Sequence, residues 1–392
     1  MNIQTRRESD SSHGGVVFIF DRVMHYHRNT RREIARRLSV AQIPFHVLSA
    51  KDKVGAVGRV ADPSKVVDSH ANFALTEKRV LGFDLRYQHG LNESLDKILP
   101  TVVVSTCHPG SLSEWKMLAW ARRRKVRRVA WQCGYEYNPG RILKQLALDR
   151  FIPQFNFHLC YHSHAQEFAI RHGADLGQTL VMHNTIDERN IISGNAQQAK
   201  AELVKRFSQL EGKAQILYVG AVLAEKRLEL VFDALEKLNR KDVMFVVVGD
   251  GPHLATLKQQ YANRKDWLSV GRVVEGVGTY FDAADVFVLP GTGGLAINEA
   301  MAYRLPVISG YADGSTDDLV VDGVTGFRLR EESAAELADR LREVLVDPAR
   351  ATAMGAAGEK RIRGELSFVS FIDRVVGVLV EQHAQALKVR DK

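Results

Sequence analysis

Residues 285–309 read DVFVLPGTGGLAINEAMAYRLPVIS, an apolar run followed by a glycine-rich turn and a helical pattern. The apolar run ends at Leu289, and the turn Gly291-Thr292-Gly293-Gly294 leads directly into the helix. Unpaired N–H groups at such a helix start, which glycine lets a ligand approach closely, suit a diphosphate. Glu299 lies just over one turn inside the helix, where its carboxylate can accept hydrogen bonds from a vicinal diol such as that of a ribose. The stretch therefore predicts an α/β fold with a phosphate site at the end of a strand.

The same alternation of β-branched and helical runs occurs twice along the chain, which predicts parallel strands with crossover helices. Strands are predicted at 16–20, 44–50, 101–105, 126–131, 157–162, 215–220, 244–251, 285–291 and 305–310, and a hairpin at 320–329. Helices are predicted near 28–42 and at 226–238, 253–262, 295–304 and 332–346. The segment 51–100 shows no clear order.

The chain has 392 residues, too many for one hydrophobic core. We expect a disordered tail over 1–13, an N-terminal domain over 14–185 and a C-terminal domain over 186–366. Both domains are predicted to be doubly wound and Rossmann-like. The apolar stripe of the last helix, in 367–392, must pack on another element.

Composition indicates a soluble chain in a reducing compartment. Apolar residues make up 45% and charged residues 26%, and there is neither a bilayer-spanning stretch nor an apolar signal core. The three cysteines, Cys107, Cys133 and Cys160, lie far apart, as is typical of cytosolic proteins. We therefore expect a cytoplasmic protein.

Charge is distributed unevenly between the two halves. Residues 1–185 carry 27 Lys and Arg against 16 Asp and Glu, a net charge of +11, whereas the remainder carries −3. Basic residues cluster at 28–37 and 122–128. These clusters have two interpretations: a face that attracts an anionic partner, or a basic face that is simply solvated. With no membrane-spanning stretch, the first interpretation predicts peripheral contact with an anionic membrane on its inner face.

A second pattern adds a cation near the same site. In LYVGAVLAEKRLELV (217–231) a strand ends at Gly220, and Lys226 is predicted to begin the next helix, within reach of the diphosphate. Lys226 alone would more often be a solvated lysine.

A nicotinamide fingerprint would open its domain and be followed by an acidic residue at the end of the next strand, whereas here that strand ends in Ser309-Gly310.

Together these pieces resemble the donor domain of the retaining GT-B glycosyltransferases of family 4, the glycosyltransferase group 1 type. The matching segments, in order, are VGAVLAEKRLE, VVVGDGPHLATLK, VGRVV, YFDAADVFVLPG, GGLAINEAMAYRLPVI and DDLVVDGVTGF. The segment VMHNTIDE (181–188) resembles the interdomain part of that family. The resemblance implies two Rossmann-like domains facing a cleft, with the terminal helix crossing back to an acceptor-binding N-terminal domain.

The resemblance also implies roles for individual residues. Lys226 would neutralise the donor diphosphate, and Glu299 would hold the ribose. The remaining donor-binding candidates are Gly220, Arg227, Arg272, Val273, Gly293, Gly294 and Leu295. The implied reaction is sugar transfer from a nucleotide sugar with retention of configuration, with the leaving diphosphate helping to take the acceptor proton and no metal or other cofactor.

The chain departs from the family pattern at two positions of the donor site. Gly291 replaces the first of two glutamates spaced eight residues apart, and Ala221 replaces an arginine that often follows the strand glycine. Candidate substitutes for the missing arginine are Arg227, Arg272 and a basic residue of the first loop, Arg22 or Arg28.

Polar residues also follow strands in the first half. His108 and Glu136 are candidate acceptor-side bases, and His108 is counted with Lys226 and Glu299 as a candidate catalytic residue. The run His158, Cys160, His162 and His164 contains zinc-type ligands, but four ligands along one strand cannot surround a metal, so no metal site is predicted.

Three other functions remain open at this stage: a non-catalytic nucleotide- or glycan-binding protein of the same fold, a nucleotide-sugar epimerase, and a nucleic-acid binder. The last has only the basic half in its favour and lacks a reader motif, so no nucleic-acid partner is expected. For a transferase, the expected partners are a nucleotide-sugar donor and a lipid-linked or cell-envelope glycan acceptor.

Overall fold

The computed structural model describes residues 14–21, 28–50, 69–80, 83–134, 142–310 and 314–390. These residues form two compact units. The first contains the described residues up to 161 together with 165–182 and 372–390, and the second contains 162–164 and 183–371. The predicted tail over 1–13 lies outside the described residues.

The first half of the chain alternates strands and helices. In chain order its elements are β1 (Gly14–Phe20), α1 (Arg28–Val40), β2 (Phe45–Ala50), β3 (Ser69–Phe73), β4 (Leu75–Val80), β5 (Phe83–Gln88), α2 (Leu91–Ile98), β6 (Pro100–Ser105), α3 (Leu112–Arg123), β7 (Arg127–Gln132), α4 (Ile142–Phe151), β8 (Phe157–Cys160), α5 (Ser163–Arg171) and β9 (Thr179–Val181).

The second half repeats this alternation. Its elements are α6 (Ala196–Arg206), β10 (Ala214–Val219), α7 (Glu229–Leu238), β11 (Val243–Val248), α8 (Leu254–Gln260), β12 (Trp267–Gly271), α9 (Gly278–Ala283), β13 (Val286–Leu289), α10 (Leu295–Ala302), β14 (Val307–Ser309), α11 (Thr316–Leu319), β15 (Gly326–Arg328), α12 (Ala334–Val346), α13 (Pro348–Arg363) and α14 (Phe368–Arg390).

Each unit is built on a parallel sheet, so the predicted α/β fold class is confirmed. The strand order is β3-β2-β1-β6-β7-β8-β9 in the first unit and β12-β11-β10-β13-β14-β15 in the second. Strand β11 is buried along its whole length, as expected where helices cover both faces of a parallel sheet. Helix pairs α7 with α12 and α10 with α13 pack together beside the second sheet.

The structure corrects several local predictions. The segment 320–329 is not a hairpin: a turn with positive φ at Gly323 leads into β15, which pairs parallel with β14. Lys226 does not begin a helix, because it ends a single 3-10 turn and α7 begins at Glu229. The strand predicted over 157–162 ends at Cys160.

Candidate functional site

The second sheet changes direction between β10 and β13. From β10 the chain adds β11 and β12 on one side, and from β13 it adds β14 and β15 on the other. In open α/β sheets, the crevice beyond the carboxyl ends of the strands at such a switch point is where ligands bind. The segments that follow β10 and β13 contain most of the predicted donor-site residues.

Lys226 joins these two segments. Its Nζ donates a hydrogen bond to the carbonyl oxygen of Thr292, and the amide of Thr292 donates to the carbonyl of Glu225 over 3.0 Å. Gly293 has φ +136, and a Cβ built there would lie 2.9 Å from Lys226 Nζ. The ammonium group therefore lies directly over the glycine turn, and a side chain at position 293 would displace it.

The start of α10 offers backbone donors beside this cation. The N-cap residue is Gly294, which supplies no side-chain hydrogen bond to the first turn, and Leu295 is the first helical residue. The first N–H groups of a helix have no partner inside the helix and carry a partial positive charge. Backbone donors and an ammonium group thus approach one another at the switch point, as anion binding requires.

Glu299 supplies an acceptor on the same helix. Its side chain is half-buried, and among the described residues it makes no hydrogen bond or ion pair. Burial raises the pKa of this carboxyl group to about 6. A desolvated carboxylate without a partner is costly, and a diol that donates two hydrogen bonds would relieve that cost.

The backbone on the other side of the switch point is tightly packed. Gly220 has φ +152, and its carbonyl group would overlap a Cβ built at Gly249. The Tyr218 hydroxyl donates to the carbonyl oxygen of Ala221 over 2.8 Å. Only glycine fits at position 249, so the segments after β10 and β11 make backbone contact.

Arg227 and Arg272 are placed differently from Lys226. Arg227 has φ +54, and its guanidinium group pairs with Glu332, for which no sequence motif indicates a role. Arg272 is exposed and follows β12, which β11 separates from β10, while Val273 packs against the core of the unit. Lys226 is thus in direct contact with Thr292 and Gly293. Arg272, by contrast, follows β12, which is two strands away from β10 in the sheet.

Gly291 makes room for the turn after β10. A Cβ built at Gly291 would overlap the carbonyl oxygen of Glu225 and lie 2.7 Å from the Cα of Lys226. The glutamate of the family pattern does not fit here unless the backbone shifts. The close approach of these two segments therefore depends on the glycine.

His108 belongs to the first unit, at the corresponding switch point between β1 and β6. It is half-buried, and its amide donates to an oxygen of the Glu114 carboxyl group over 3.2 Å. Glu136 and Arg22 lie outside the described residues, and Arg28 is exposed at the start of α1.

The histidine run does not lie on one strand. His158 and Cys160 are buried in β8, and burial lowers the pKa of His158 to about 4. His164 belongs to α5. Within the described parts of the chain, no group of three or more His, Cys, Asp or Glu residues is arranged to hold a metal ion.

Two units built on parallel sheets are the architecture of the GT-B fold. In the second unit, a cation, a glycine turn and an uncapped helix meet at the switch point. Residues 200–361 match the model of the family described as glycosyl transferases group 1. This segment is thus similar to group 1 glycosyltransferases, which agrees with the resemblance of the sequence to that type.

Curated relatives match over a similar part of the chain. An alpha-D-kanosaminyltransferase of Streptomyces kanamyceticus is 30% identical over 158 residues, 38% of this chain and 40% of the relative. A GDP-mannose-dependent alpha-(1-6)-phosphatidylinositol monomannoside mannosyltransferase of Mycobacterium tuberculosis is 30% identical over 183 residues, 43% of this chain and 47% of the relative. The matches thus span less than half of these relatives.

Solved structures match over nearly the whole chain and confirm the fold. Anabaena Alr3699/HepE, crystallised with UDP, has a TM-score of 0.75 at 15% identity and covers 94% of this chain and 100% of its own. Sucrose-phosphate synthase from Thermosynechococcus elongatus has a TM-score of 0.71 at 16% identity, with 95% and 100% covered. No helix among the described residues is long and apolar enough to span a bilayer.

Proposed function

We propose that this protein is a retaining, metal-independent glycosyltransferase. It moves a sugar from a nucleotide sugar to a lipid-linked or cell-envelope glycan, in the cytoplasm or at the inner face of the membrane. The observation that carries the proposal is the contact of Lys226 with the glycine turn before α10, with Glu299 one turn further on. The names of relatives support a nucleotide donor and a lipid or glycan acceptor.

Each group at the switch point has a task in this reaction. Lys226 and the first amides of α10 stabilise the negative charge that develops on the departing diphosphate. Glu299, ionised, accepts hydrogen bonds from the ribose diol. The acceptor oxygen bonds to the anomeric carbon on the face that the diphosphate leaves, and the acceptor proton passes to a diphosphate oxygen.

Thermal unfolding with UDP, GDP, ADP and CMP tests the site. A nucleotide at a hundred times its Kd stabilises the folded state by about 2.7 kcal/mol. We expect one nucleotide to stabilise the wild type but neither Lys226→Ala nor Glu299→Ala. The control variants Lys237→Ala and Glu202→Ala change exposed residues on α7 and α6 and should respond as the wild type does.

Stabilisation of both site variants to the wild-type extent would place nucleotide binding elsewhere. The transfer step is tested with the sugar conjugate of the nucleotide that binds, with and without EDTA. Retention is read from the anomeric configuration of the product by NMR. Loss of transfer in EDTA, or an inverted product, would contradict the corresponding part of the proposal.

A non-catalytic nucleotide-binding role is the second candidate, and the packing of Gly291 favours it. That packing leaves no space for the glutamate that the family pattern has at this position. Nucleotide-dependent stabilisation without transfer or donor hydrolysis would support this alternative over the enzyme.

A further inference from the structure

The loop that contains His108 is held by one buried carboxyl group. Glu114, in the first turn of α3, is 1% exposed. Its carboxyl group accepts hydrogen bonds from the hydroxyls of Ser105 and Thr106, over 3.1 and 3.2 Å. The amide of His108 is its third donor, over 3.2 Å. One side chain therefore fixes three of the four residues from 105 to 108.

The backbone of this loop is strained where the carboxyl group holds it. Cys107 has φ +57, a left-handed conformation that costs a residue with a Cβ roughly 1–2 kcal/mol. Such conformations persist only where surrounding contacts impose them, and they are frequent at functional sites. Here the amide that follows Cys107 is the one bound to Glu114.

Further contacts fix the far side of the same loop. The Trp115 indole donates to the carbonyl of Pro109 over 2.9 Å, and the Arg86 amide donates to the carbonyl of Gly110 over 3.0 Å. The loop is thus anchored on both sides of His108.

The loop stands at the switch point of the first sheet. It follows β6, and Asp21 follows the neighbouring strand β1, where its carboxylate pairs with Arg86 over 2.7 Å. The amide side chain of Gln88 donates to the other oxygen of Asp21 over 2.6 Å. In open α/β sheets, the loops at such a switch point are where ligands bind.

We propose that Glu114 is a positioning residue that holds His108 in the orientation needed at the acceptor side of the reaction. This inference rests on the proposed function. Burial, followed by the nearby Asp21 carboxylate, raises the pKa of Glu114 to about 8, so the carboxyl group is largely neutral at neutral pH. A neutral acid keeps the loop ordered without placing a second full negative charge beside Asp21.

The experiment compares Glu114→Ala, Glu114→Gln, His108→Ala and the double variant Glu114→Ala/His108→Ala. The control is Glu93→Ala, which removes an exposed glutamate from the first turn of α2. UDP-glucose and GDP-mannose are the donor probes. The rate at which nucleoside diphosphate is released is measured, with water or an added glycan as the acceptor of the sugar. UDP- and GDP-dependent thermal stabilisation reports donor binding separately.

We expect Glu114→Ala to lower kcat about 100-fold through misplacement of His108, with nucleotide-dependent stabilisation unchanged. Adding His108→Ala should cost little more, because both changes remove the same oriented imidazole. Glu114→Gln keeps an acceptor for the loop and should recover most of the rate. A merely structural Glu114 would lower the melting temperature while the folded variant released nucleotide at the wild-type rate.

Amide hydrogen exchange at His108 supplies a readout that needs no substrate. Protection of this amide should fall in Glu114→Ala and stay at the wild-type level in Glu93→Ala. Unchanged protection, or rate losses that multiply in the double variant, would overturn the inference. If none of UDP, GDP, ADP and CMP stabilises the wild type, the proposed function fails, and hydrogen exchange still decides whether Glu114 holds the loop.

Discussion

At the scale of single residues, Gly291 shows how close backbone packing restricts sequence. We expect Gly291→Ala to lower the free energy of unfolding by about 1–3 kcal/mol, because the added Cβ meets the backbone of residues 225 and 226. Gly377→Ala is the matched control: apart from the neighbouring residues and backbone of α14 itself, no atom lies within 4 Å of the added Cβ, and alanine favours the helix by about 0.5–1 kcal/mol. Urea unfolding measures both changes, and equal stability of Gly291→Ala and the wild type would show that the turn yields.

Glu114 makes stability depend on pH. Its pKa is raised to about 8 in the folded state, against about 4.3 for an unfolded glutamate. The folded state therefore holds a proton that the unfolded state releases, so this stabilising contribution is complete below about pH 4.3 and is lost as pH rises through about 8. Between these values the wild type should lose up to about 1.4 kcal/mol per pH unit relative to Glu114→Gln. Parallel stability curves for the two proteins in chemical denaturation would contradict the raised pKa.

At the scale of elements, α10 begins without a side-chain cap, and that open start is the basis of the proposed phosphate site. Gly294→Asp places an acceptor and a negative charge at the N-cap. We expect stability to rise by a few tenths of a kcal/mol, since aspartate caps slightly better than glycine. Nucleotide-dependent stabilisation should disappear, because the carboxylate repels the diphosphate. A variant that still responds to nucleotide would show that the start of α10 is not the phosphate site.

The sequence predicted elements well where apolar runs are long. The run that became β11 is buried at every position, and such a run has few alternatives to a central parallel strand. Prediction failed where backbone dihedrals decide: the turn at Gly323 and Gly326 resembled a hairpin, yet β15 pairs parallel with β14. Lys226 was also displaced from its predicted helix, because Arg227 adopts φ +54 and ends the turn before α7.

At the scale of the whole molecule, each unit contains polar groups at the switch point of its sheet. For the second unit, Lys226, Gly293 and Glu299 were selected from sequence, because a loop between a strand and a helix carries its own local pattern. For the first unit, the contacts of Glu114 and Asp21 were not predicted. Asp21 meets Arg86 and Gln88, which are 65 and 67 residues away along the chain, and no local pattern reports such a pairing.

The uneven charge of the chain yields a prediction about membranes. Arg28, Arg32 and Arg36 are exposed on α1 at intervals of four residues, so they lie on one face of the helix. Arg36 also pairs with Glu33 over 2.6 Å, which partly neutralises this face. Each exposed cation near an anionic surface contributes about 1 kcal/mol at most, and salt screens that attraction within a Debye length of about 8 Å at physiological ionic strength.

We therefore predict that the protein sediments with vesicles of phosphatidylglycerol at low salt and is released as salt is raised. The triple variant Arg28→Gln/Arg32→Gln/Arg36→Gln should lose this binding, because it removes three charges from one face of α1. The control Lys237→Gln/Lys241→Gln/Lys258→Gln removes three exposed cations from the second unit and should still bind. Equal sedimentation with phosphatidylcholine vesicles, or an equal loss of vesicle binding in both triple variants, would contradict this prediction. The basic face of α1 would then be a solvated surface, and the acceptor would reach the protein without membrane attachment through α1.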